Sequence, residues 1–362
     1  MFPMPPPPVV RAVANVLPPH VADQEQLIAA FRQLWAKQHF NVDRLEDLHR
    51  AVKVKSRHLA LPLDQYLGLE RFSARNDAWI QAGEALGAQA VSEAISRAGL
   101  QPQDVDHLFF VTVTGIATPS LDARWMNRLG LRPDVKRTPL FGLGCVAGAA
   151  GLARASDALR AFPAQTAVLA SVELCSLTLQ REDFSVANVI ASGLFGDGAA
   201  AVVLEGGERA GRAPGLRPRI LATRSVFYPD TERVMGWDVV DSGFKVVLSA
   251  KVPSLVKAQI RGDVDSFLAA QGFARKDIRH WIAHTGGPKV LLAFEEALEL
   301  PEAALARSWR SLEEVGNLSS ASVLFVLGDL LRSDEPREGD LGVLLAMGPG
   351  FCAELLLLQW SA

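Results

Sequence analysis

Residues 144–160, GCVAGAAGLARASDALR, and residues 316–332, GNLSSASVLFVLGDLLR, are two versions of one pattern. Both begin with a glycine, continue through small residues and end in an Asp-x-Leu-Arg run. Cys145 and Asn317 occupy the same place in the two stretches, as do Asp157 and Asp329. Apolar residues at helical spacing predict a helix in each stretch. The small residues would allow these two helices to pack closely against each other.

Two further pairs of motifs repeat in the same order. DVDHLF, residues 104–109, is matched by DIRHWI, residues 277–282, at nearly the same offset along the chain. GDGAAAVVLE, which begins at Gly196, is matched by GPGFCAELLL, which begins at Gly348. Three matches in one order predict an internal duplication. Each half also contains short apolar runs typical of strands covered on both faces, so the sequence predicts a layered α/β fold.

Composition excludes several classes of protein. The chain has 362 residues, of which 49% are hydrophobic and 21% are charged, so a large core can form. The formal net charge of -3 argues against a general nucleic-acid binder. The first residues do not have the pattern of a signal peptide, apolar runs are too short for a membrane span, and three cysteines are too few for a disulfide framework. We therefore expect a cytoplasmic protein without a membrane span and without a nucleic-acid partner.

The duplication also suggests how the chain is divided. Prolines in MFPMPPPPVV predict a flexible arm over residues 1–20. The first half then spans residues 21–208 and the second half spans residues 219–362. Residues 206–218 are rich in Gly, Pro and Arg and mark the seam between the halves.

Cys145 is the strongest candidate for a nucleophile. It follows Gly142 and Gly144 and begins a predicted helix. The positive end of the helix dipole would lower the pKa of the thiol, and the glycines would permit a tight turn. The competing interpretation is a buried structural cysteine. Cys175 and Cys352 lie in apolar strand-like surroundings, where that interpretation is the better one.

His284 and Asn317 are the expected partners of Cys145. His284 precedes a glycine turn, HTGGP, at the end of a predicted strand, and Asn317 begins the helix equivalent to that of Cys145. Each also has a structural interpretation, as a satisfied polar residue or as a helix N-cap. If the halves pair about a pseudo-twofold axis, the two helix starts face each other. The three side chains would then supply a nucleophile, a proton acceptor and an oxyanion donor.

At this level of detail the chain resembles the type III polyketide synthases, the chalcone synthase-like enzymes. The resemblance runs from about Arg50 to the C-terminus. It rests on TGIATPSLDARWMNRLGLRPDVKR, GCVAGAAGLARA, SGLFGDGAAAVVLEG, WIAHTGGPKVL, GNLSSASVLFVL and GPGFCAELLLL. It implies a duplicated thiolase-like fold with αβαβα layers and a homodimer. The GLGCVAGAAG and MGWDVVDSGF segments are similar to those of bacterial alkylpyrone and alkylresorcinol synthases.

The resemblance assigns roles residue by residue. Cys145, His284 and Asn317 match the family's catalytic residues, and Phe195 matches the phenylalanine beside the nucleophile that assists decarboxylation. Other positions match residues that line the cavity: Thr118 (which in the family reaches the partner's cavity), Cys175, Thr178, Trp237, Val246 and Ser319. Val246 stands where plant enzymes carry a second gating phenylalanine, Trp237 where they carry a small residue, and Cys175 where they carry a threonine.

The substrates implied by the resemblance are CoA thioesters, with no metal and no other cofactor. Their phosphates need cations, for which the candidates are Lys53, Lys55 and Arg57; an ordinary solvated face explains these residues equally well. Gly286 and Gly287 could let the pantetheine arm pass close to the backbone. Lys289 stands where plant enzymes have a small residue and could add a cation.

The expected function is therefore that of an acyltransferase. A starter acyl group, expected to be a long fatty acyl chain, is loaded on Cys145, extended by decarboxylative condensation with malonyl-CoA, and cyclised to an alkylpyrone or alkylresorcinol. A one-step ketoacyl-carrier-protein synthase III-like enzyme shares the Cys, His, Asn order. A papain-like cysteine hydrolase shares it too, but would have unlike lobes. A non-catalytic acyl-CoA-binding module is a further possibility.

Overall fold

The computed structural model describes residues 5–35, 41–210 and 215–362. Residues 1–4 of the expected arm and 211–214 of the expected seam lie outside this range. The strands of the described chain are β1 (Val9–Val16), β2 (His20–Asp23), β3 (Ser56–Leu59), β4 (His107–Thr112), β5 (Lys136–Phe141), β6 (Thr166–Leu174), β7 (Asp197–Glu205), β8 (Arg217–Phe227), β9 (Met235–Val240), β10 (Gly243–Leu248), β11 (Ile278–Ala283), β12 (Leu341–Gly348) and β13 (Cys352–Ser361).

Helices follow most of these strands. They are α1 (Gln24–Trp35), α2 (Val42–Ala51), α3 (Phe72–Arg97), α4 (Leu121–Arg128), α5 (Ala147–Ala161), α6 (Val186–Leu194), α7 (Gly207–Ala210), α8 (Val252–Ala269), α9 (Pro288–Leu298), α10 (Ala306–Val315) and α11 (Ser322–Leu331). None of the described helices is long and apolar enough to cross a bilayer.

The order of strands in the main sheet confirms the duplication. Nine strands run in the order β11-β12-β13-β8-β1-β7-β6-β4-β5. Within the first half, β4 and β6 are parallel, and β6, β7 and β1 are successively antiparallel. The second half repeats this pattern with β11, β12, β13 and β8. The halves meet where β1 pairs with β8 at Val9 and Arg219.

The two helices predicted from the repeat form the central layer. Helices α5 and α11 share one hydrophobic core with strands from both halves. A second core packs α3 and α4 on the outer face of the first half, and a third packs α8, α9 and α10 on that of the second. The small residues of α5 are needed here, because a Cβ at Gly148 would collide with the Ser320 carbonyl oxygen. The layers therefore follow the expected αβαβα order.

The N-terminal segment differs from the sequence-based expectation. We predicted a flexible arm over residues 1–20, but residues 9–16 form β1, which is largely buried in the middle of the main sheet between β7 and β8. The first run of prolines ends at Pro8, and the following VVRAVANV run has the β-branched and apolar character of a strand. The prediction of a flexible arm is wrong for this segment.

Candidate functional site

The nucleophile candidate lies on a sharp turn between a strand and a helix. Chain reversal after β5 uses Gly142 and Gly144, whose φ angles are +94° and +55°. Such angles are easily adopted by glycine, and a Cβ at Gly144 would also meet the Pro349 ring at 2.7 Å. Cys145 then lies in the single 3-10 turn that leads into α5, as the sequence predicts.

The thiol of Cys145 is buried and contacts the hydroxyl of Ser319. The Cys145 Sγ atom lies 3.7 Å from the Ser319 Oγ atom. Burial raises the pKa of the thiol to about 12, and the negative charge of Glu173 raises it further, whereas the Ser319 hydroxyl opposes the shift. The sequence-based expectation was a pKa lowered by the helix start. Desolvation of the buried thiol outweighs that effect.

His284 follows the end of β11, as predicted, and faces the same pocket. Its backbone N–H donates to the Leu345 carbonyl at 3.0 Å, which continues the pairing of β11 with β12. Burial lowers the pKa of the imidazole to about 4, and Nδ1 has no hydrogen-bond partner among the described residues. At neutral pH, burial therefore favours a neutral imidazole and a neutral thiol over a thiolate–imidazolium ion pair.

Asn317 is oriented by the turn that follows it. Its Oδ1 atom accepts a hydrogen bond from the Ser319 N–H at 2.8 Å and a longer one from the Ser322 hydroxyl at 3.4 Å. With the oxygen engaged in this way, the amide nitrogen is the group available to the cavity. Asn317 is therefore more than a helix N-cap, since its amide can donate to an oxyanion.

These three side chains line one cavity, which we call the catalytic pocket. It encloses about 690 Å³, open mouth included, and brings together Cys145, His284, Asn317, Ser319 and Phe195. Apolar side chains such as Met235, Phe294 and Phe351 line much of the remainder. The residues come from both halves of the chain. The duplication thus juxtaposes the two helix starts, as the sequence predicts.

A second cavity adjoins the first and is called here the side cavity. It encloses about 870 Å³, mouth included, and its apolar lining includes Leu27, Phe31, Leu34, Leu63, Tyr66 and Leu67. Cys175 and Thr178 line this cavity and not the catalytic pocket. Phe195, Trp237 and Val246 line both cavities and form the wall between them.

Glu173 is a feature of the site that we did not predict. Its carboxylate is fully buried and accepts hydrogen bonds from the Val113 N–H at 3.1 Å, from the Thr114 hydroxyl at 2.9 Å and from the Ser320 hydroxyl. Burial raises its pKa to about 7. The sequence signal for Glu173 is a single charged residue within the otherwise uncharged, mostly apolar strand TAVLASVEL.

The predicted CoA-binding residues fall into two groups. Lys53, Lys55 and Lys289 are exposed. The Lys53 ammonium lies 5.2 Å from the centre of the Trp309 ring, and Lys55 pairs with Glu313 at 2.6 Å. Gly286 lines the catalytic pocket, and Gly287 precedes α9 with a φ of +131°. A role for these residues in binding CoA stays a prediction.

Arg57 does not fit the role that was predicted for it. Alternation along β3 directs its side chain inward, where it is 1% exposed. Its guanidinium donates to the main-chain oxygens of Ser192, at 2.8 Å, and of Gly193 and Phe195. These bonds engage the cation in holding the segment that carries Phe195, so the assignment of Arg57 to CoA phosphates is wrong.

Thr118 lies in an exposed loop between β4 and α4. It lines neither the catalytic pocket nor the side cavity of its own chain. Its predicted position in a partner's cavity therefore stays a prediction. Among the described residues, no group of His, Cys, Asp and Glu side chains could hold a metal ion.

The chemistry available in the catalytic pocket follows from these positions. Cys145 can be acylated, and His284 can accept its proton because its imidazole is neutral. Asn317 can donate to an oxygen that gains negative charge. The arrangement suits acyl transfer through a thioester.

Comparisons with known proteins agree with this geometry. The family model of the N-terminal domain of chalcone and stilbene synthases matches residues 6–208, and that of the C-terminal domain matches residues 219–361. A 1,3,6,8-tetrahydroxynaphthalene synthase of Streptomyces peucetius is 53% identical over 97% of this chain and 93% of its own. A phloroglucinol synthase of Pseudomonas fluorescens is 33% identical over 96% of this chain and 97% of its own.

A solved structure gives the same result. The 1,3,6,8-tetrahydroxynaphthalene synthase of Streptomyces coelicolor, described as a bacterial type III polyketide synthase, superimposes with a TM-score of 0.92 at 30% identity. The match covers 98% of this chain and 99% of that one. None of these three relatives is named as an alkylpyrone or alkylresorcinol synthase, so their names do not support that finer prediction. The fold, the pocket and both family models together show that this chain belongs to the chalcone and stilbene synthase family, the type III polyketide synthases.

Proposed function

We propose that this chain builds a polyhydroxylated fused aromatic compound from malonyl-CoA alone, with Cys145 as the attachment site. The observation that carries the proposal is the 53% identity, over nearly the whole chain, with a relative named for the synthesis of 1,3,6,8-tetrahydroxynaphthalene. The wall supports it, because the aromatic side chains of Phe195 and Trp237 line the same pocket as the nucleophile and suit a small starter. This starter differs from the long fatty acyl chain expected from the sequence.

Loading begins with the neutral Cys145–His284 pair. The thiol sulfur attacks the thioester carbonyl of malonyl-CoA while His284 takes the thiol proton. The bond between the carbonyl carbon and the CoA sulfur then breaks, and CoA leaves as the thiol after it receives that proton. The imidazolium that forms transiently lies close to the departing thiolate, so opposite charges compensate for some of the desolvation.

Extension requires an enolate. A second malonyl-CoA loses CO₂, and the electrons of the broken C–C bond form an enolate. Its oxygen accepts from the Asn317 amide and from the N–H of the His284 tautomer that carries its proton on the pocket side. Phe195 presents an apolar face that favours neutral CO₂ over the carboxylate. The enolate carbon attacks the thioester on Cys145, and the sulfur leaves. The lengthened chain then returns from CoA to Cys145 for the next cycle.

The carbon balance supports five malonyl-CoA molecules per product. A tetrahydroxynaphthalene has ten ring carbons with oxygens at alternating positions, which equals five two-carbon units. Five malonyl-CoA molecules then give one product, five CoA, one water and five CO₂, of which four come from the extender units and the fifth from the carboxyl group of the starter. The balance involves no net oxidation, so the reaction needs no redox co-reactant.

A second candidate function is the one expected from the sequence. A long fatty acyl starter, extended with malonyl-CoA, would yield an alkylpyrone or alkylresorcinol. The apolar lining of the side cavity favours it, because each methylene buried there contributes about 0.8 kcal/mol. That starter would have to pass the wall at Trp237.

The hydrolase and the carrier-protein-dependent enzyme lose support. Family membership and two equivalent halves rule out the papain-like hydrolase. A carrier-protein-dependent synthase III is less well supported, because both family models are those of chalcone and stilbene synthases.

The test is to incubate the purified protein with malonyl-CoA alone and identify the products by mass spectrometry. A ten-carbon tetrahydroxylated aromatic compound, or the quinone that forms from it in air, is the expected result. A parallel set of acyl-CoA starters of graded length tests the second candidate. Products that carry the starter's alkyl chain, with none from malonyl-CoA alone, would overturn the proposal.

A further inference from the structure

The wall between the two cavities lies on a hairpin outside the main sheet. Strands β9 and β10 form a two-stranded sheet of their own, in which Trp237 and Val246 are directly opposite each other. Because the main sheet does not hold this hairpin, its position depends on other contacts. Those contacts decide how far Trp237 and Val246 reach between the cavities.

The side chain of Gln180 makes several of these contacts at the turn of the hairpin. It is 5% exposed, and its Nε2 atom donates to the carbonyls of Phe244, at 3.0 Å, and Ser242, at 3.3 Å. Its Oε1 atom accepts from the Ser242 hydroxyl at 2.6 Å. A single amide therefore binds Ser242 and Phe244, which flank Gly243, the first residue of β10. Phe244 lies two residues before Val246 on the same strand.

Gln180 is also connected to residues that line the side cavity. Its backbone lies two residues after Thr178, and the Asn188 amide donates to the Gln180 carbonyl at 2.8 Å. Thr178 and Asn188 both line the side cavity. The residue thus ties the lining of that cavity to the hairpin, while neither cavity has Gln180 in its own lining.

Arg75 strengthens the same junction from α3. Its guanidinium donates to the Ser242 carbonyl and to the Leu179 carbonyl, and so bridges the same two segments. Phe72, one turn earlier, packs edge-to-face on Phe244 with ring centres 5.4 Å apart. These contacts also hold the turn of the hairpin in place. Gln180 adds hydrogen bonds to the Ser242 and Phe244 carbonyls and to the Ser242 hydroxyl.

We propose that Gln180 is a positioning residue that fixes the Trp237–Val246 wall and thereby controls how the growing chain divides between the two cavities. It touches no reacting atom and acts through the hairpin. The inference rests on the proposed condensing function but not on the identity of the starter. Loss of the amide removes this donor from the carbonyl of the buried Phe244, so the wall would shift to restore a hydrogen bond.

The test compares Gln180→Met with the wild type. Methionine keeps a similar volume and removes every hydrogen bond of the amide. We expect the ratio of full-length to prematurely released products to change by about fivefold, the equivalent of one buried hydrogen bond. The rate of malonyl-CoA decarboxylation and the KM for malonyl-CoA should stay the same, because the catalytic residues are untouched.

Two further variants keep the test decisive. Ser242→Ala removes one of the bonds from an exposed residue and should shift the ratio in the same direction, by less. Gln165→Met is the matched control, since Gln165 bonds His107 at 2.7 Å, at the far end of β4. It should leave the ratio unchanged. If Gln180→Met does not fold, Ser242→Ala carries the test.

Several results would overturn the inference. The first is an unchanged ratio of full-length to prematurely released products in folded Gln180→Met. If Gln180→Met does not fold, an unchanged ratio in Ser242→Ala has the same meaning. An equal change in Gln165→Met, or a fall in decarboxylation that parallels the change of ratio, would also indicate general structural damage. If the wild type decarboxylates malonyl-CoA but releases no polyketide from any starter, the proposed function fails, and the inference fails with it.

Discussion

Phe195 and Asn317 are joined through their backbones. They form an isolated parallel β-bridge, in which the Asn317 N–H donates to the Leu194 carbonyl at 2.9 Å and the Gly196 N–H donates to the Asn317 carbonyl at 3.0 Å. Main-chain hydrogen bonds therefore fix the positions of these two residues relative to each other. Phe195 is expected to favour decarboxylation, and Asn317 is expected to stabilise the enolate. A change of either side chain leaves this register intact.

The first prediction follows from that bridge. In Phe195→Leu, Asn317 stays in place, but the smaller side chain admits water beside the malonyl carboxylate. We expect decarboxylation of malonyl-CoA to fall by about tenfold, equivalent to about 1.4 kcal/mol, while acylation of Cys145 is retained. Quantifying labelled CO₂ release and acyl-enzyme formation separates the two. Equal losses in both steps would contradict the prediction.

The second prediction concerns the nucleophile. Cys145→Ala should abolish covalent attachment of a labelled acyl group from acyl-CoA. Cys175→Ala and Cys352→Ala should retain it, because Cys175 lines the side cavity and the Cys352 thiol contacts the Pro349 carbonyl at 3.1 Å. Intact-protein mass spectrometry checks the result. Labelled Cys145→Ala protein would disprove the assignment.

The third prediction is a pH dependence of stability. Glu173 has a pKa of about 7 in the folded chain, raised by burial from an ordinary value of 4.5. Its contribution to stability is therefore complete below pH 4.5 and is lost as the pH rises through 7. That loss is on the order of 3 kcal/mol, since one pKa unit equals about 1.4 kcal/mol.

Glu173→Gln removes this titration, because the amide stays neutral. The free energy of unfolding by urea should then decline less between pH 5 and pH 8 than it does in the wild type. Glu205→Gln is a suitable control, since that buried carboxylate lies at the C-terminal end of the neighbouring strand β7 and pairs with Arg11. Parallel pH profiles for Glu173→Gln and the wild type would refute the assignment.

The fourth prediction concerns the wall. Val246→Phe adds bulk between the cavities and should move the preference among acyl-CoA starters toward shorter chains. Trp237→Gly removes bulk and should allow longer ones. Decarboxylation should remain nearly intact in both, because neither changes the catalytic residues. Product yields across starters of graded length provide the measurement, and an unchanged length profile in both variants would show that the wall does not select the starter.

The fifth prediction is a homodimer with the Thr118 loop at its interface. Ile116 is exposed on the single chain and lies in the same loop as Thr118, next to the edge strand β5, where Phe141 is also exposed. Burial of these side chains against a second copy would remove apolar surface from water. Light scattering at micromolar concentration should give the mass of two chains. A fully active monomer would contradict the prediction.

Two features of this protein follow from its sequence alone: the division into two equivalent halves and the approach of Cys145 to Asn317. The internal repeat specifies two equivalent halves, because apolar periodicity and strand order are local properties that each half repeats. That duplication is also sufficient to bring Cys145 and Asn317 together, and the helix start and glycine turn identify Cys145. Each of these inferences needs only patterns along the chain.

The tertiary structure decided the rest. Whether the Arg57 side chain is exposed to solvent depends on which face of β3 is covered. The segment that covers this face, residues 192–195, is distant in sequence. Placement of residues 9–16 in the middle of the sheet depends on pairing with β7, which comes much later in the chain. The protonation states of Cys145 and His284 depend on desolvation, which is a property of the closed pocket. Burial and long-range strand pairing arise only when distant segments pack together. A local sequence pattern therefore cannot predict them.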